Sequence, residues 1–166
     1  MKDRGQVTTG ARGDDVEVGA LARRVGYVLK QAQSLLRARM EEGLRPLELT
    51  VPQYACLELL RQNPGLTNAE LARAGFVTAQ SMNGVVKGLQ GRGCITRPET
   101  APSGRSRPFS LTTAGLALVE EADATVREVE RRLLAEITSA EGEQLLASLQ
   151  QVVSSLDGAA PDDATP

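Results

Sequence analysis

Apolar residues recur at steps of three and four in three stretches of this chain, a spacing that places them on one face of an α-helix. The first stretch predicts a helix over about residues 16–40, along a seam formed by Val18, Leu21, Val25, Val28, Ala32 and Leu35. A second helix, capped by Thr112 or Thr113, carries a seam of Val119, Ala122, Val126, Val129 and Leu133. The third stretch, over residues 143–156, carries Leu145, Leu146, Leu149, Val152, Val153 and Leu156 on one stripe. The chain is therefore predicted to be mainly α-helical.

Shorter helices are predicted between the two seams. Thr50 and Gln53 form a capping-box pattern at the start of "TVPQYACLELLRQ", and Thr67 and Glu70 form another before a helix of about two turns. A tight turn then leads to "TAQSMNGVVKGLQGRG", for which Thr78 is the expected N-cap. Two short helices joined by a tight turn are typical of a helix-turn-helix.

Two short strands are predicted after these helices, in "CITRPET" and "RPFSLT". Pro98 and Pro108 restrict them to sheet edges or strand ends. The Pro- and Gly-rich loop between the strands therefore forms the tip of a β-hairpin wing. The predicted fold is mainly α with a small β-hairpin wing (α+β), a winged helix-turn-helix with a helical dimerisation region.

The two seams allow two interpretations: packing inside a monomeric bundle, or association of two chains. A dimer is favoured because the seams lie outside the compact middle of the chain, which has its own small core. The predicted organisation is a disordered arm (residues 1–15), an N-terminal dimerisation helix (16–48), a winged helix-turn-helix (49–112), C-terminal dimerisation helices (113–156) and a disordered tail (157–166).

Composition limits the chemistry that is available. The chain has 166 residues, enough for one domain, and it contains no histidine. Ser-His-Asp and Cys-His catalysis and most zinc sites are therefore excluded. The adjacent carboxylates of Glu41 and Glu42 point about 100° apart on a helix, so they do not face a shared substrate. We expect no enzyme activity, no metal and no cofactor.

Charge is distributed unevenly, although the net charge is only −2. Residues 61–110 contain seven Lys and Arg against two Asp and Glu, whereas residues 111–166 contain three against eleven. A basic middle segment of this kind suits a phosphate backbone.

The helix that starts at Thr78 divides into two faces. Met82, Val85, Val86 and Leu89 form the inward face, and the opposite side presents Gln80, Gly84 and Lys87, with Asn83 flanking them. Amides can pair with base edges, and a lysine can bind phosphate. Gly84 and Gly88 each cost a helix about 1 kcal/mol relative to alanine, which indicates a packing or docking constraint. The alternative is an ordinary solvated helix face.

From Leu49 to about Val153 the chain resembles the multiple-antibiotic-resistance regulator (MarR) family of winged-helix transcription factors. The resemblance lies in the helix order and in "LTVPQYACLELL", "LTNAELAR" and "SGRSRPFSLTTAG". It implies that the first and last two helices form a dimer, that the helix over residues 78–90 enters the major groove, and that Arg105 touches the minor groove. Two departures are Ser103, where members usually have an acidic residue, and Gly84, where many have arginine.

With Gly84 in that place, base contacts are expected mainly from Gln80 and Asn83. The full set of expected DNA-binding residues is Thr78, Gln80, Ser81, Asn83, Lys87, Arg97, Arg105 and Arg107. The arginines add positive charge at and beside the wing tip, where such side chains can enter a narrow minor groove. Solubilising charge in a loop is the alternative interpretation.

The resemblance also implies an effector, a small, often phenolic or otherwise lipophilic anion bound between the dimer helices and the DNA-binding region. The candidate residues are Tyr27, Arg37, Met40 and Tyr54, for which ordinary packing is the alternative. Thiol sensing is the family's other mechanism, but Cys56 and Cys94 have no neighbouring cation run and are expected to be buried and unreactive.

We therefore predict a homodimeric transcriptional regulator, a ligand-responsive repressor or less often an activator, that binds a pseudo-palindromic site in double-stranded DNA. The alternative is a helical protein-interaction module of the same fold that no longer binds DNA. The polar N-terminus does not resemble a signal peptide, and no apolar run approaches the ~20 residues needed to cross a membrane. A cytoplasmic protein with no membrane partner is expected.

Overall fold

A computed structural model describes residues 19–97 and 108–157 of the chain. The predicted arm over residues 1–15, the tail from residue 158 onward and the wing tip with Arg105 and Arg107 lie outside these ranges. The chain divides into two compact units, Met1–Leu35 and Leu36–Pro166, which are described separately.

In the first unit, a 3-10 turn over Gly19–Arg23 precedes helix α1, Val25–Leu44, whose first half belongs to this unit. The predicted continuous helix over residues 16–40 is wrong at both ends, because the α-helix begins at Val25 and extends to Leu44. Apolar spacing does not distinguish a 3-10 turn from a helix, since both place residues three apart on one side. Leu21, Val25, Val28 and Leu35 of the first seam are exposed.

The second unit contains the rest of the elements. They are α2, Val51–Gln62; α3, Asn68–Ala74; α4, Ala79–Gly91; β1, Ile95–Thr96; β2, Ser110–Leu111; α5, Thr113–Leu133; and α6, Ser139–Asp157. A 3-10 turn over Arg45–Leu47 joins α1 to α2. The strands pair antiparallel, with Ile95 opposite Leu111 and Thr96 opposite Ser110. A mainly helical fold with a two-stranded hairpin is therefore confirmed.

The predicted helix starts are held by threonine caps. Thr50 and Thr67 each form a complete capping box, with Gln53 and Glu70 respectively. The hydroxyls of Thr78 and Thr112 accept the backbone N–H groups of residues 81 and 115. These caps satisfy N–H groups that the first helical turn cannot pair internally.

One apolar cluster forms the core of the second unit. It extends from Leu44 at the end of α1 through α2, α3, α4 and both strands to α5, and Phe109 is its largest fully buried side chain. Val119, Ala122 and Val126 of the second seam belong to this cluster. The prediction that this seam is left over for another chain is therefore wrong for these three residues, because heptad spacing defines a helix face but not what covers it.

Helix α6 differs from the other long helix of this unit because it contains no buried residue. All six members of its apolar stripe are exposed: Leu145, Leu146, Leu149, Val152, Val153 and Leu156. None of the described helices is both long and apolar enough to cross a membrane.

The start of α5 is anchored to the base of the wing. The Thr112 hydroxyl donates to the Gly93 carbonyl oxygen at 2.7 Å, and the Thr112 N–H donates to the Cys94 carbonyl oxygen at 3.0 Å. Gly115 lies so close that a Cβ there would come 1.9 Å from the Cys94 carbonyl oxygen. Only a glycine allows this approach, which fixes the start of α5 against the wing base.

Candidate nucleic-acid interface

Helices α3 and α4 form the helix-turn-helix, and a side chain fixes the start of one to the start of the other. The Asn68 amide nitrogen, at the beginning of α3, donates to the carbonyl oxygen of Ala79 at the beginning of α4, at 3.2 Å. The Asn68 amide oxygen is buried and has no hydrogen-bond partner within the described ranges. Asn68 was not identified from the sequence, because a bond between residues eleven apart leaves no periodic signal.

Helix α4 presents an apolar face to the core and a polar face to solvent. Met82, Val86 and Leu89 are buried, and Val85 is half-buried against the same cluster. The exposed residues include the predicted Thr78, Gln80, Ser81, Asn83 and Lys87. The described ranges show no ion pair for Lys87. This face therefore offers amide, hydroxyl and ammonium groups to a partner.

Two of these side chains bond to each other at the helix start. The Thr78 hydroxyl accepts the N–H of Ser81 at 3.1 Å and donates to the Ser81 hydroxyl oxygen at 2.9 Å. The proton of Thr78 is thereby used inside the protein. Ser81 keeps its own hydroxyl proton, so of the two it is the better donor to a phosphate.

The two helical glycines of α4 have different surroundings. A Cβ at Gly88 would lie 3.1 Å from the amide nitrogen of Gln53, so helix α2 packs tightly there. A Cβ at Gly84 would meet nothing within 4 Å. Packing therefore explains Gly88 but not Gly84, and the smooth surface at Gly84 leaves room for a partner to approach the backbone.

Arg97 lies at the base of the wing, directly after β1, and is exposed. Its guanidinium carbon is 5.0 Å from the centre of the Phe109 ring, an arrangement that fits a cation–π interaction. The ring contact orients the arginine beside the base of the wing.

Two other cations of the basic segment have structural roles. Arg61 donates two hydrogen bonds of 2.7 Å to the Glu58 carboxylate, which neutralises its charge locally. Arg92 donates to the backbone carbonyl oxygens of Glu48 and Leu47 at 2.7 and 3.0 Å, and so holds the end of α4 to the turn before α2. From the sequence, both arginines were counted only as part of the basic segment. Their hydrogen bonds could not be predicted, because the partners are brought together by folding.

Tyr54, an effector candidate, is buried and connects α2 to α5. Its hydroxyl donates to the Asp123 carboxylate at 3.2 Å, and Arg127 also donates to this carboxylate. Burial, and then the negative charge of Asp123, raise the pKa of Tyr54. The hydrogen bond from Arg127 lowers the pKa of Asp123, so Asp123 remains ionised and Tyr54 protonated at neutral pH.

The other effector candidates lie in varied surroundings. Arg37 is exposed and donates to Glu41 at 2.8 Å, and Met40 is partly buried against the core cluster that contains Tyr54. Tyr27 is half-buried in the first unit. Met40 therefore lies against the same cluster as Tyr54, whereas Arg37 forms an ion pair within its own helix.

Cys56 is expected to be chemically inert in the folded chain. It is fully buried, and burial raises the pKa of its thiol to about 12. We predict that iodoacetamide modifies Cys56 roughly 100-fold or more slowly in the native protein than in concentrated guanidinium chloride, as measured by mass spectrometry at mildly alkaline pH. Equal rates in the two conditions would contradict this burial.

The raised pKa of Cys56 also has a consequence for stability. The thiol of the unfolded chain titrates at pH ~8.5. The stability that comes from burying the neutral Cys56 thiol is therefore fully present below that pH and is lost as the pH rises toward 12.

Within the described parts of the chain, no three His, Cys, Asp or Glu side chains form a cluster that could hold a metal ion.

Similarity to known proteins agrees with this arrangement. The model of the MarR family matches residues 47–106. The HTH-type transcriptional repressor Rv2887 of Mycobacterium tuberculosis is 41% identical over 128 residues, which cover 77% of this chain and 92% of the relative. The chain belongs to the MarR family. The family assignment made from the sequence is thereby confirmed, and the chain is a helix-turn-helix transcriptional regulator.

Solved structures of the same MarR-family relative support the shared fold. Rv2887 of Mycobacterium tuberculosis in complex with salicylic acid is 40% identical, with a TM-score of 0.65, over 78% of this chain and 96% of that chain. Rv2887 in complex with DNA is 37% identical, with a TM-score of 0.66, over 78% and 97% of the two chains. MarR-family regulators are generally not enzymes.

Proposed function

We propose that this chain is a homodimeric, cytoplasmic MarR-family repressor that binds a pseudo-palindromic operator in double-stranded DNA and releases it when a small phenolic anion binds. The observation that supports the proposal is the exposed polar face of α4. The opposite face of this helix is buried in the core, and its first turn is capped by Thr78 and hydrogen-bonded to Asn68. The proposal involves no catalysed reaction and no cofactor.

Each protomer inserts the first turns of α4 into the major groove. The amides of Gln80 and Asn83 pair with base edges, because an amide can donate and accept at once and so match adenine. Ser81 and Lys87 bind phosphate oxygens and set the register of the helix. Arg97, Arg105 and Arg107 add positive charge at the wing, next to the minor groove.

Two such protomers assemble through their terminal helices. The proposed organisation keeps the DNA-binding region, residues 49–112, between an N-terminal dimerisation helix and the C-terminal dimerisation helices over residues 113–156. The exposed apolar stripe of α6 supports this, since a stripe of six large side chains is costly to leave in water. Within α5, the buried part of the seam is assigned to the protomer's own core.

The effector part of the proposal rests on the relative that is solved with salicylic acid. We assign a phenolic anion to the neighbourhood of Arg37, Met40 and Tyr54 in the second unit. Tyr27, in the first unit, stays a candidate from the sequence alone. The Tyr54 hydroxyl is bonded to Asp123 and the Arg37 guanidinium to Glu41, so an anion that takes either group replaces an existing bond. Such an exchange can shift the protein between two arrangements by the 1–3 kcal/mol that is typical of coupling between two sites.

A titration of the DNA upstream of the protein's own gene tests this function. Fluorescence anisotropy is expected to give a sub-micromolar Kd for that duplex, weaker binding to a scrambled duplex, and a loss of affinity as salt rises. Salicylate is expected to weaken the specific complex. Equal affinity for the two duplexes, or no binding at low salt, contradicts the proposal.

The same titration separates a DNA-binding regulator from a protein-interaction module. Replacing Lys87 and Arg105 by alanine removes two cations, of which Lys87 is exposed on α4. A regulator loses affinity for all duplexes and shows a shallower salt dependence. An interaction module has no DNA affinity to lose and keeps its protein partner.

A further inference from the structure

Phe76, in the turn between α3 and α4, is the most exposed large apolar side chain in the described ranges, at 85%. It lies two residues before Thr78, the cap of α4, so the Cα atoms of these residues are at most ~7 Å apart. An aromatic ring therefore stands in water beside the start of the helix that is proposed to enter DNA.

The backbone conformation at Phe76 makes the choice of residue more unusual. Helix α3 ends with the Phe76 N–H bonded to the Arg73 carbonyl oxygen at 3.2 Å and the Val77 N–H bonded to the Ala72 carbonyl oxygen at 3.0 Å. This is the Schellman pattern, whose left-handed position glycine normally occupies. Here φ is −86° at Gly75 and +52° at Phe76.

The fold gains nothing from phenylalanine at this position. The left-handed backbone disfavours any residue with a Cβ, and the ring buries little of its surface. Glycine would satisfy the same two hydrogen bonds with less strain. Phe76 therefore costs free energy twice, through its left-handed backbone and through its exposed apolar ring. Such a residue is best explained by a contact made outside the protomer.

We propose that the Phe76 ring is a DNA-contact residue that packs on apolar C–H surface of the operator, either a thymine methyl group or a deoxyribose, at the edge of the α4 footprint. This rests on the proposed function. DNA is favoured over a second copy of the chain because the amides and hydroxyls at the start of α4 are neighbours of the ring, whereas the unpartnered apolar stripe lies on α6. The two rings of a dimer would contact both half-sites.

Phe76→Gly tests the proposal, because its effects on folding and on binding are expected to have opposite signs. The variant should unfold at the same temperature as the original chain or a few degrees higher, since strain is relieved. Its Kd for the upstream duplex should rise roughly tenfold, with an unchanged salt dependence, because no charge is removed. Phe76→Leu, which keeps an apolar side chain, should lose less affinity than Phe76→Gly.

Two duplexes, one of them with deoxyuridine in place of thymidine, distinguish the two apolar surfaces. If the ring packs on a thymine methyl, the original chain loses more affinity on the deoxyuridine duplex than Phe76→Gly does. If it packs on deoxyribose, both proteins lose the same factor, and both results support the proposal. A Phe76→Gly variant that binds as tightly as the original chain overturns it. Absence of DNA binding by the original chain instead overturns the proposed function, and this inference with it.

Discussion

Replacing Gln80 and Asn83 together by alanine is expected to abolish the preference of the protein for its operator over scrambled DNA. Each side chain is exposed on the first turns of α4 and can pair with one base, a contact that contributes ~1–3 kcal/mol of discrimination. A dimer presents each contact twice, so four contacts worth about 4–12 kcal/mol in all are lost. The specific Kd should weaken by roughly 1,000-fold or more, until it reaches the nonspecific value. Anisotropy titrations on both duplexes measure the difference.

The control for this variant is Gln90→Ala. Gln90 is an exposed amide on the same helix, about 15 Å further along the axis than Gln80. Its loss should leave the discrimination between duplexes within about twofold of the original. If the Gln80/Asn83 double variant still prefers the operator, the sequence is not read by the start of α4.

Replacing Gly115 by alanine is expected to cause the largest loss of stability. The added Cβ would come 1.9 Å from the carbonyl oxygen and 2.8 Å from the carbonyl carbon of Cys94, and both are backbone atoms. The start of α5 must then move away from the wing base, which breaks the bond from the Thr112 N–H to Cys94. We expect a loss of roughly 3–5 kcal/mol in the free energy of unfolding, measured by urea denaturation.

Gly91→Ala is the matched control for Gly115→Ala. Gly91 is also a helical glycine, at the end of α4, but a Cβ there would meet nothing within 4 Å. Alanine should be neutral or stabilise the protein by up to ~1 kcal/mol, because it favours helix. Equal urea midpoints for the two variants would show that the close approach of Gly115 to Cys94 does not contribute to the free energy of unfolding.

The sequence predicted those parts of the fold that depend on neighbouring residues. The caps at Thr50, Thr67 and Thr78 join groups three residues apart, so their patterns are visible along the chain. The division of α4 into apolar and polar faces follows from the helical repeat in the same way. Local chemistry therefore defined both helices of the helix-turn-helix and the face proposed to meet DNA.

Contacts between distant parts of the chain could not be predicted in this way. Arg92 bonds to carbonyl groups more than forty residues earlier, and Gly115 lies against Cys94. The α5 seam showed a helix face but not that the core of the same protomer covers it. The strain at Phe76 was also hidden, because the neighbouring Gly75 is the residue that turn propensity would place in the left-handed region.

Tethered cleavage of operator DNA tests most directly whether α4 lies in the major groove of each half-site. Ala79→Cys places a reactive thiol in the exposed first turn of α4, while Cys56 and Cys94 are buried and do not compete for the reagent. An iron chelate attached at residue 79 is expected to cut the bound duplex at two symmetric clusters about one helical turn, roughly 10 base pairs, apart. Cuts scattered along a fully bound duplex, or no cuts, would contradict the proposed placement of α4.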